Sequence, residues 1–297
     1  MASTDEYIRA GKIAANVRET IRAEVKPGVK IIDICERVES MIRQQGAAPA
    51  FPCNVDIDKV AAHYASPVGD QSIIQNGQLV KVDIGVHVDG FIADTAVTIC
   101  LDPTLQPLVK AAEDALEVAC RAAKPGVRAS DIGATIEHII KNRGMKPIRN
   151  LTGHKLERYV VHAGRSIPNI GGFNLQKLEK GEVYAIEPFT VLPNAAGEVR
   201  DGPPSNIYHF KKKRNVTNST AKDMLKVIQE EYQTLPFASR WLLTRYPGIE
   251  GQRGFQELLK NLCIEGYPQL IEKTGGTVAQ AEHTIIVTNE GGLVTTK

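Results

Sequence analysis

The chain has 297 residues, 42% of them hydrophobic and 24% charged, enough apolar content for a substantial core. Its 36 basic and 34 acidic residues leave a formal charge of +2, so no global field argues for nucleic acid or an anionic membrane surface. Five cysteines (Cys35, Cys53, Cys100, Cys120 and Cys263) lack CxxC spacing and are odd in number, which argues against a disulfide framework or a thiolate zinc site and fits a reducing cytosol.

The N-terminal stretch runs into an amphipathic helix, expected over Glu6–Val25, without the apolar core of a signal peptide; no later segment is long and apolar enough to span a bilayer. A cytoplasmic protein is expected. Lys26–Gly46 (KPGVKIIDICERVESMIRQQG) then recurs as Lys124–Gly144 (KPGVRASDIGATIEHIIKNRG), a gapless shift of 98 with about nine identities. Each copy predicts a helix begun near Asp33 or Asp131 and stopped by Gly46 or Gly144. A further helix precedes each copy, over Leu108–Ala123 in the second, and strand-like sequence follows each. The repeat implies one α+β domain of two helix-helix-sheet halves about a pseudo-twofold axis, the first near 1–105 and the second near 106–297. A site on that axis would draw side chains from both halves.

Leu79–Cys100 (LVKVDIGVHVDGFIADTAVTIC) reads as a β-hairpin closed by a type I′ turn at Asp89-Gly90. That turn sets Val88 opposite Phe91 and Asp83 opposite Ala96, so Asp83 and Asp94 become diagonal neighbours on one face. Two carboxylates among apolar residues require a cation or a good ion pair. Lys81 is the bland partner; a metal ion is the functional one.

The second half supplies further candidates. Val183–Val191 (VYAIEPFTV) is β-rich, with Glu187 before Pro188, as at a strand end. Ala281–Val287 (AEHTIIV) opens with Glu282 and His283. His154 follows a glycine in NLTGH, and His162 comes shortly after on a strand-like stretch. Asp83, Asp94, His154, Glu187 and Glu282 together carry four carboxylates, whose charge two divalent cations would neutralise. Oxygen-rich ligation with one imidazole suits Mn, Fe(II), Co or Zn. Paired ions acidify water and polarise a carbonyl, which is hydrolysis chemistry, with Glu187 as the proton-transferring carboxylate.

After Arg200, Gly202-Pro203-Pro204 interrupts the pattern. Helices are expected at Ser219–Tyr232, Pro236–Arg245 and Phe255–Leu262, with strand-like sequence returning only at Thr277–Val287. The simplest reading is a helical subdomain inserted over 203–271. The basic run Lys211-Lys212-Lys213-Arg214 within it is read as a solvated loop or strand end.

The segments AAHYASP with His63, KVDIGVHVDGFIADTA, NLTGH, VHAGRSIPN with His162, AIEPF and AEHTIIV resemble, in order and across essentially the whole chain, the site blocks of the methionine aminopeptidases. Those enzymes have the pita-bread fold shared with prolidase and creatinase. The helical insertion resembles type II enzymes, and the lack of a long charged N-terminal extension resembles their archaeal branch. The resemblance implies removal of the initiator methionine from nascent chains with a small second residue. It makes Asp83, Asp94, His154, Glu187 and Glu282 the ligands of two divalent ions (Co, Mn, Fe(II) or Zn). It also implies that His63 and His162 are non-ligand histidines contacting substrate, with Phe51, Tyr267 and Leu270 lining the methionine pocket. The expected partners are nascent polypeptide N-termini, with transient ribosome contact left open, no nucleic acid or membrane, and a monomeric state. Two rivals remain: a prolidase or aminopeptidase P on the same fold, disfavoured by AIEPF where those relatives usually show Gly after Pro, and a non-catalytic pita-bread binding protein.

Overall fold

The structure, a computed structural model, describes residues 2–297. The first half opens with α1 (Ala2–Glu24) and α2 (Ile31–Gln44), then β1 (Ala48–Pro49), β2 (Asn54–Ile57), β3 (Val60–Ala62), β4 (Leu79–Val88) and β5 (Phe91–Cys100). The second begins with α3 (Gln106–Ala122) and α4 (Ala129–Asn142), followed by β6 (Lys146–Pro147), β7 (Thr152–Leu156), β8 (Ser166–Pro168), β9 (Val183–Ile186) and β10 (Phe189–Val191). The expected helices are thus present, with ends displaced by a few residues.

The repeat persists in three dimensions. Gly28 and Gly126 both turn at left-handed φ, 88° and 83°, and Gly46 and Gly144 close α2 and α4 at 72° and 73°. The same shift of 98 carries β1 onto β6 and the start of β2 onto the start of β7. It also pairs Asp56 with His154. Each half has its own core: α1 and α2 bury Val17, Ile21, Ile34 and Val38 against Val82, Ile84 and Val86, while α3 and α4 bury Ala115, Ala119, Ile132 and Ile136 against Tyr184, Ile186 and Ile285.

The remaining elements are β11 (Val199–Phe210), α5 (Ser219–Val227) running into a π-turn over Ile228–Tyr232, β12 (Phe237–Ala238), α6 (Ser239–Arg245), α7 (Gly248–Lys260), β13 (Ile264–Glu272), β14 (Val278–Gln280), β15 (His283–Thr288) and β16 (Gly291–Val294). Two expectations fail here. Strand structure does not wait until Thr277, because β11 and β13 pair along their length, with register shifts on either side of Pro204. Prolines are tolerated at such irregularities, so Gly202-Pro203-Pro204 bends a strand where a break was expected. β13 also pairs with β3 of the first half, so the helices α5–α7 stand on a sheet shared with the body. They bury a separate apolar cluster, including Met224, Leu225, Phe255 and Leu258.

Among the described residues every strand pair is antiparallel. The β4–β5 sheet meets the β7–β9–β15 sheet along β5, where threonines join them. The Thr284 hydroxyl accepts from Asp94 N–H at 2.7 Å and donates to its carbonyl at 2.8 Å, and Thr98 makes the equivalent pair with Gln280 at 2.9 and 2.6 Å. This seam brings side chains from the two halves together.

Candidate active site

The hairpin takes the register its turn dictates: Asp83 opposes Ala96, Gly85 opposes Asp94, and Asp89 and Gly90 adopt φ of 49° and 85°. Asp83 and Asp94 therefore lie diagonally on one face. From the second half, β7 presents His154 opposite Ala185 of β9, and Glu187 follows β9 at the break that Pro188 imposes before β10. Gly153 permits that approach, since a Cβ there would lie 2.4 Å from the Ala185 carbonyl oxygen. Glu282 precedes β15, its N–H donating to the Ala96 carbonyl at 3.2 Å.

These five residues line one cavity with His63, His162, Phe51 and Tyr267. Ligand atoms of Asp94, His154 and Glu282 lie within 4.8 Å of one another. His154 Nε2 is 3.6 Å from Asp94 Oδ2 and 3.5 Å from Glu187 Oε1. Lys81 does not balance the charge: its ammonium donates to the Asp58 and Val278 carbonyls at 3.2 and 3.0 Å. Asp83 Oδ1 and Asp94 Oδ1 are buried without hydrogen-bond partners.

The electrostatics follow. Burial pushes the Asp83 carboxyl up to about 7 against hydrogen bonds from Gln280 and Asp94 that lower it. Burial first, and then the neighbouring carboxylates, raise Asp94, Glu187 and Glu282 well above the usual range. Burial, with further help from His162, depresses His154 to about 3 and His63 to about 4; His162 is lowered by burial. Neutral imidazole and orphaned carboxylate oxygens form a donor set for hard or borderline divalent cations. The residues fit a metal centre.

Beside this cluster the cavity becomes apolar, walled by Phe51, Ala62, Val161, Ile207 and Pro236. His63 sits at φ 73°, a conformation uncommon outside glycine, with its ring 5.8 Å from that of Tyr267. The His162 ring lies 4.3 Å from that of His154. His162 sits in the bend between β7 and β8 and not on a strand as its sequence suggested. Leu270 is absent from the lining: its backbone pairs with Ala62, and its side chain packs in the cluster containing Ala61 and Ile148.

Three further residues that the sequence reading does not include line or adjoin the cavity. Asn54 opposes Asp83 across β2 and β4, and Gln280 donates to Glu282 Oε2 at 3.3 Å; both are buried amides beside the carboxylates. Finding Asn54 requires the β2–β4 pairing, whereas Gln280 lies one strand period before Glu282. Gly85 makes room for Phe51, whose Cε1 would lie 2.3 Å from a Cβ there. Gly85→Ala is therefore expected to displace Phe51 and lower kcat/KM by about ten- to a hundredfold while metal content stays at the wild-type level. Steady-state kinetics beside metal analysis check this.

The model of metallopeptidase family M24 matches residues 5–289. A methionine aminopeptidase of Pyrococcus horikoshii is 44% identical over 294 residues, covering 99% of this chain and 99% of that one. Among solved structures, a thermophilic Arx1 superposes with a TM-score of 0.83 at 19% identity over 98% of this chain and 90% of its own. A methionine aminopeptidase from Thermotoga maritima gives 0.72 at 21% identity, covering 100% and 97%. With nearly the whole chain matched in sequence and the acidic cluster in place at the seam of the two halves, this protein belongs to metallopeptidase family M24.

Proposed function

We propose that the protein removes the N-terminal initiator methionine from polypeptides with a small second residue, using two divalent ions held by Asp83, Asp94, His154, Glu187 and Glu282. One observation carries this reading: the carboxylate–histidine cluster and an apolar pocket walled by Phe51, Val161, Ile207 and Pro236 belong to one cavity. An unbranched thioether side chain fits an apolar, partly aromatic wall, and a pocket for one side chain beside the reacting centre favours cleavage after a single residue.

Bound at these residues, ions such as Mn, Fe(II), Co or Zn would supply Lewis acidity for the scissile carbonyl and lower the pKa of a water molecule. Glu187 accepts that water's proton and returns it to the leaving amine. His63 and His162, held neutral by burial, orient the scissile peptide and donate to the oxygen on which charge develops. Phe51 and Tyr267 hold the methionine side chain. Nascent chains in the cytoplasm are the natural substrates, and the protein acts on them as a monomer.

The Mn- or Co-loaded protein should release methionine from Met-Ala-Ser and leave an Xaa-Pro dipeptide intact. Cleavage of the dipeptide would assign the cavity to proline-specific chemistry. Failure with both would favour a binding role.

A further inference from the structure

The shift of 98 that relates the two halves carries Arg18 of α1 onto Leu116 of α3. Leu116 is an ordinary core residue, 5% exposed, whereas Arg18, at the corresponding position of the repeat, is 8% exposed. A guanidinium cannot shed its charge and must find partners where its counterpart needs none. The partners it finds lie directly behind the metal cluster.

Arg18 Nη1 donates to Thr95 Oγ1 at 2.6 Å and to the Thr296 carbonyl at 2.8 Å, and lies 3.3 Å from His283 Nδ1. Its Nε donates to Glu19 Oε1 at 2.9 Å, on the solvent side. Thr95 follows Asp94 and His283 follows Glu282, so Arg18 touches the residue after each of two ligands. Because the guanidinium only donates, the Thr95 hydroxyl accepts from it and directs its own proton to the Glu282 carbonyl, 2.8 Å away. A second branch leads to Asp94: Thr296 Oγ1 lies 2.8 Å from His283 Nδ1 and accepts from Thr284 N–H at 3.2 Å, and the Thr284 hydroxyl bonds both backbone groups of Asp94.

We propose that Arg18 is a positioning residue that sets the spacing of Asp94 and Glu282 from the far side of the sheet, through Thr95 and the His283–Thr296–Thr284 branch. Successive strand residues face opposite sides, so the Thr95 side chain points away from the cluster while Asp94 points into it. The action is geometric: burial and the neighbouring carboxylates are what raise Asp94 and Glu282. Groups behind metal ligands typically change affinity by about 10–100-fold when removed.

The inference rests on the proposed metal centre, and its test reads metal binding apart from peptide cleavage. The full chain, stripped of metal, is titrated anaerobically with Co(II), following the visible absorption band. Arg18→Met should weaken Co(II) binding by about 10–100-fold and shift the band. Thr95→Val, which keeps volume and removes the relay hydroxyl, should reproduce part of the loss, the His283–Thr296–Thr284 branch being left intact, and Thr95→Ser should restore wild-type affinity. The effects of Arg18→Met and Thr95→Val should fall short of additivity, since both break one relay. Wild-type Co(II) affinity and band position in Thr95→Val would overturn the proposal, even with Arg18→Met misfolded. Additive effects of the two substitutions would equally overturn it. If wild-type protein binds Co(II) but releases no methionine, the proposed activity falls while the Arg18 relay keeps its support from the Co(II) titrations.

Discussion

His154→Ala is expected to lower kcat/KM for a methionyl peptide by more than about a hundredfold, with loss of bound metal. His154 Nε2 lies within 3.6 Å of carboxylates from both halves, so its removal takes the one imidazole from the proposed ligand set. Even groups that only support a ligand are worth about 10–100-fold. His63→Ala should behave differently: its ring lines the cavity against Tyr267 and is not in the proposed ligand set, so the variant should retain both ions while kcat falls or KM rises. Metal analysis and kinetics on the two variants check the division. Equal metal loss in both would contradict it.

The second large effect concerns stability. Glu39 of α2 and Arg240 of α6 are 3% and 2% exposed, paired at 2.7 Å, with Trp241 Nε1 donating to the same carboxylate at 2.7 Å and Cys53 N–H at 3.3 Å. This cluster joins α6 to the first half just before the strand bearing Asn54. Arg240→Ala leaves a buried carboxylate without its counter-charge, which costs about 3–5 kcal/mol. The thermal midpoint should fall by about 5–15 °C. The pH dependence has a definite sign. Burial raises Glu39 above its ordinary value even with Arg240 present, and removing the cation raises it further. The folded variant then holds a proton that the unfolded chain releases, so stability declines as pH rises from the ordinary carboxylate range through the folded value. The deficit should be smaller at pH 5 than at pH 8 by thermal denaturation. Glu39→Gln combined with Arg240→Met should recover part of the loss.

How much was legible depends on how local the cause was. The hairpin register was readable because Asp89-Gly90 admits one turn geometry, and a period of two then places Asp83 and Asp94 without further information. The repeat was readable because its glycines and Pro-Gly turns recur in register. The β11–β13 pairing was not, because proline-bent strands separated by three helices have no local signature. Leu270 packs instead against the apolar cluster that includes Ile148 and Val199, a long-range contact with no local signature. Arg18 was hidden for another reason: one arginine on an amphipathic helix looks solvated until the sheet behind it is known.

In the proposed reaction the carboxylate–histidine cluster holds two ions that methionine release requires. Metal content and release of methionine from Met-Ala-Ser, measured on the same anaerobic preparation of wild-type protein and Asp94→Asn, test it most directly. Two equivalents of metal in the wild type, with release falling in step as metal is removed and both lost in Asp94→Asn, is the predicted result. Undiminished release from metal-stripped protein, or two ions still bound in Asp94→Asn, would contradict it.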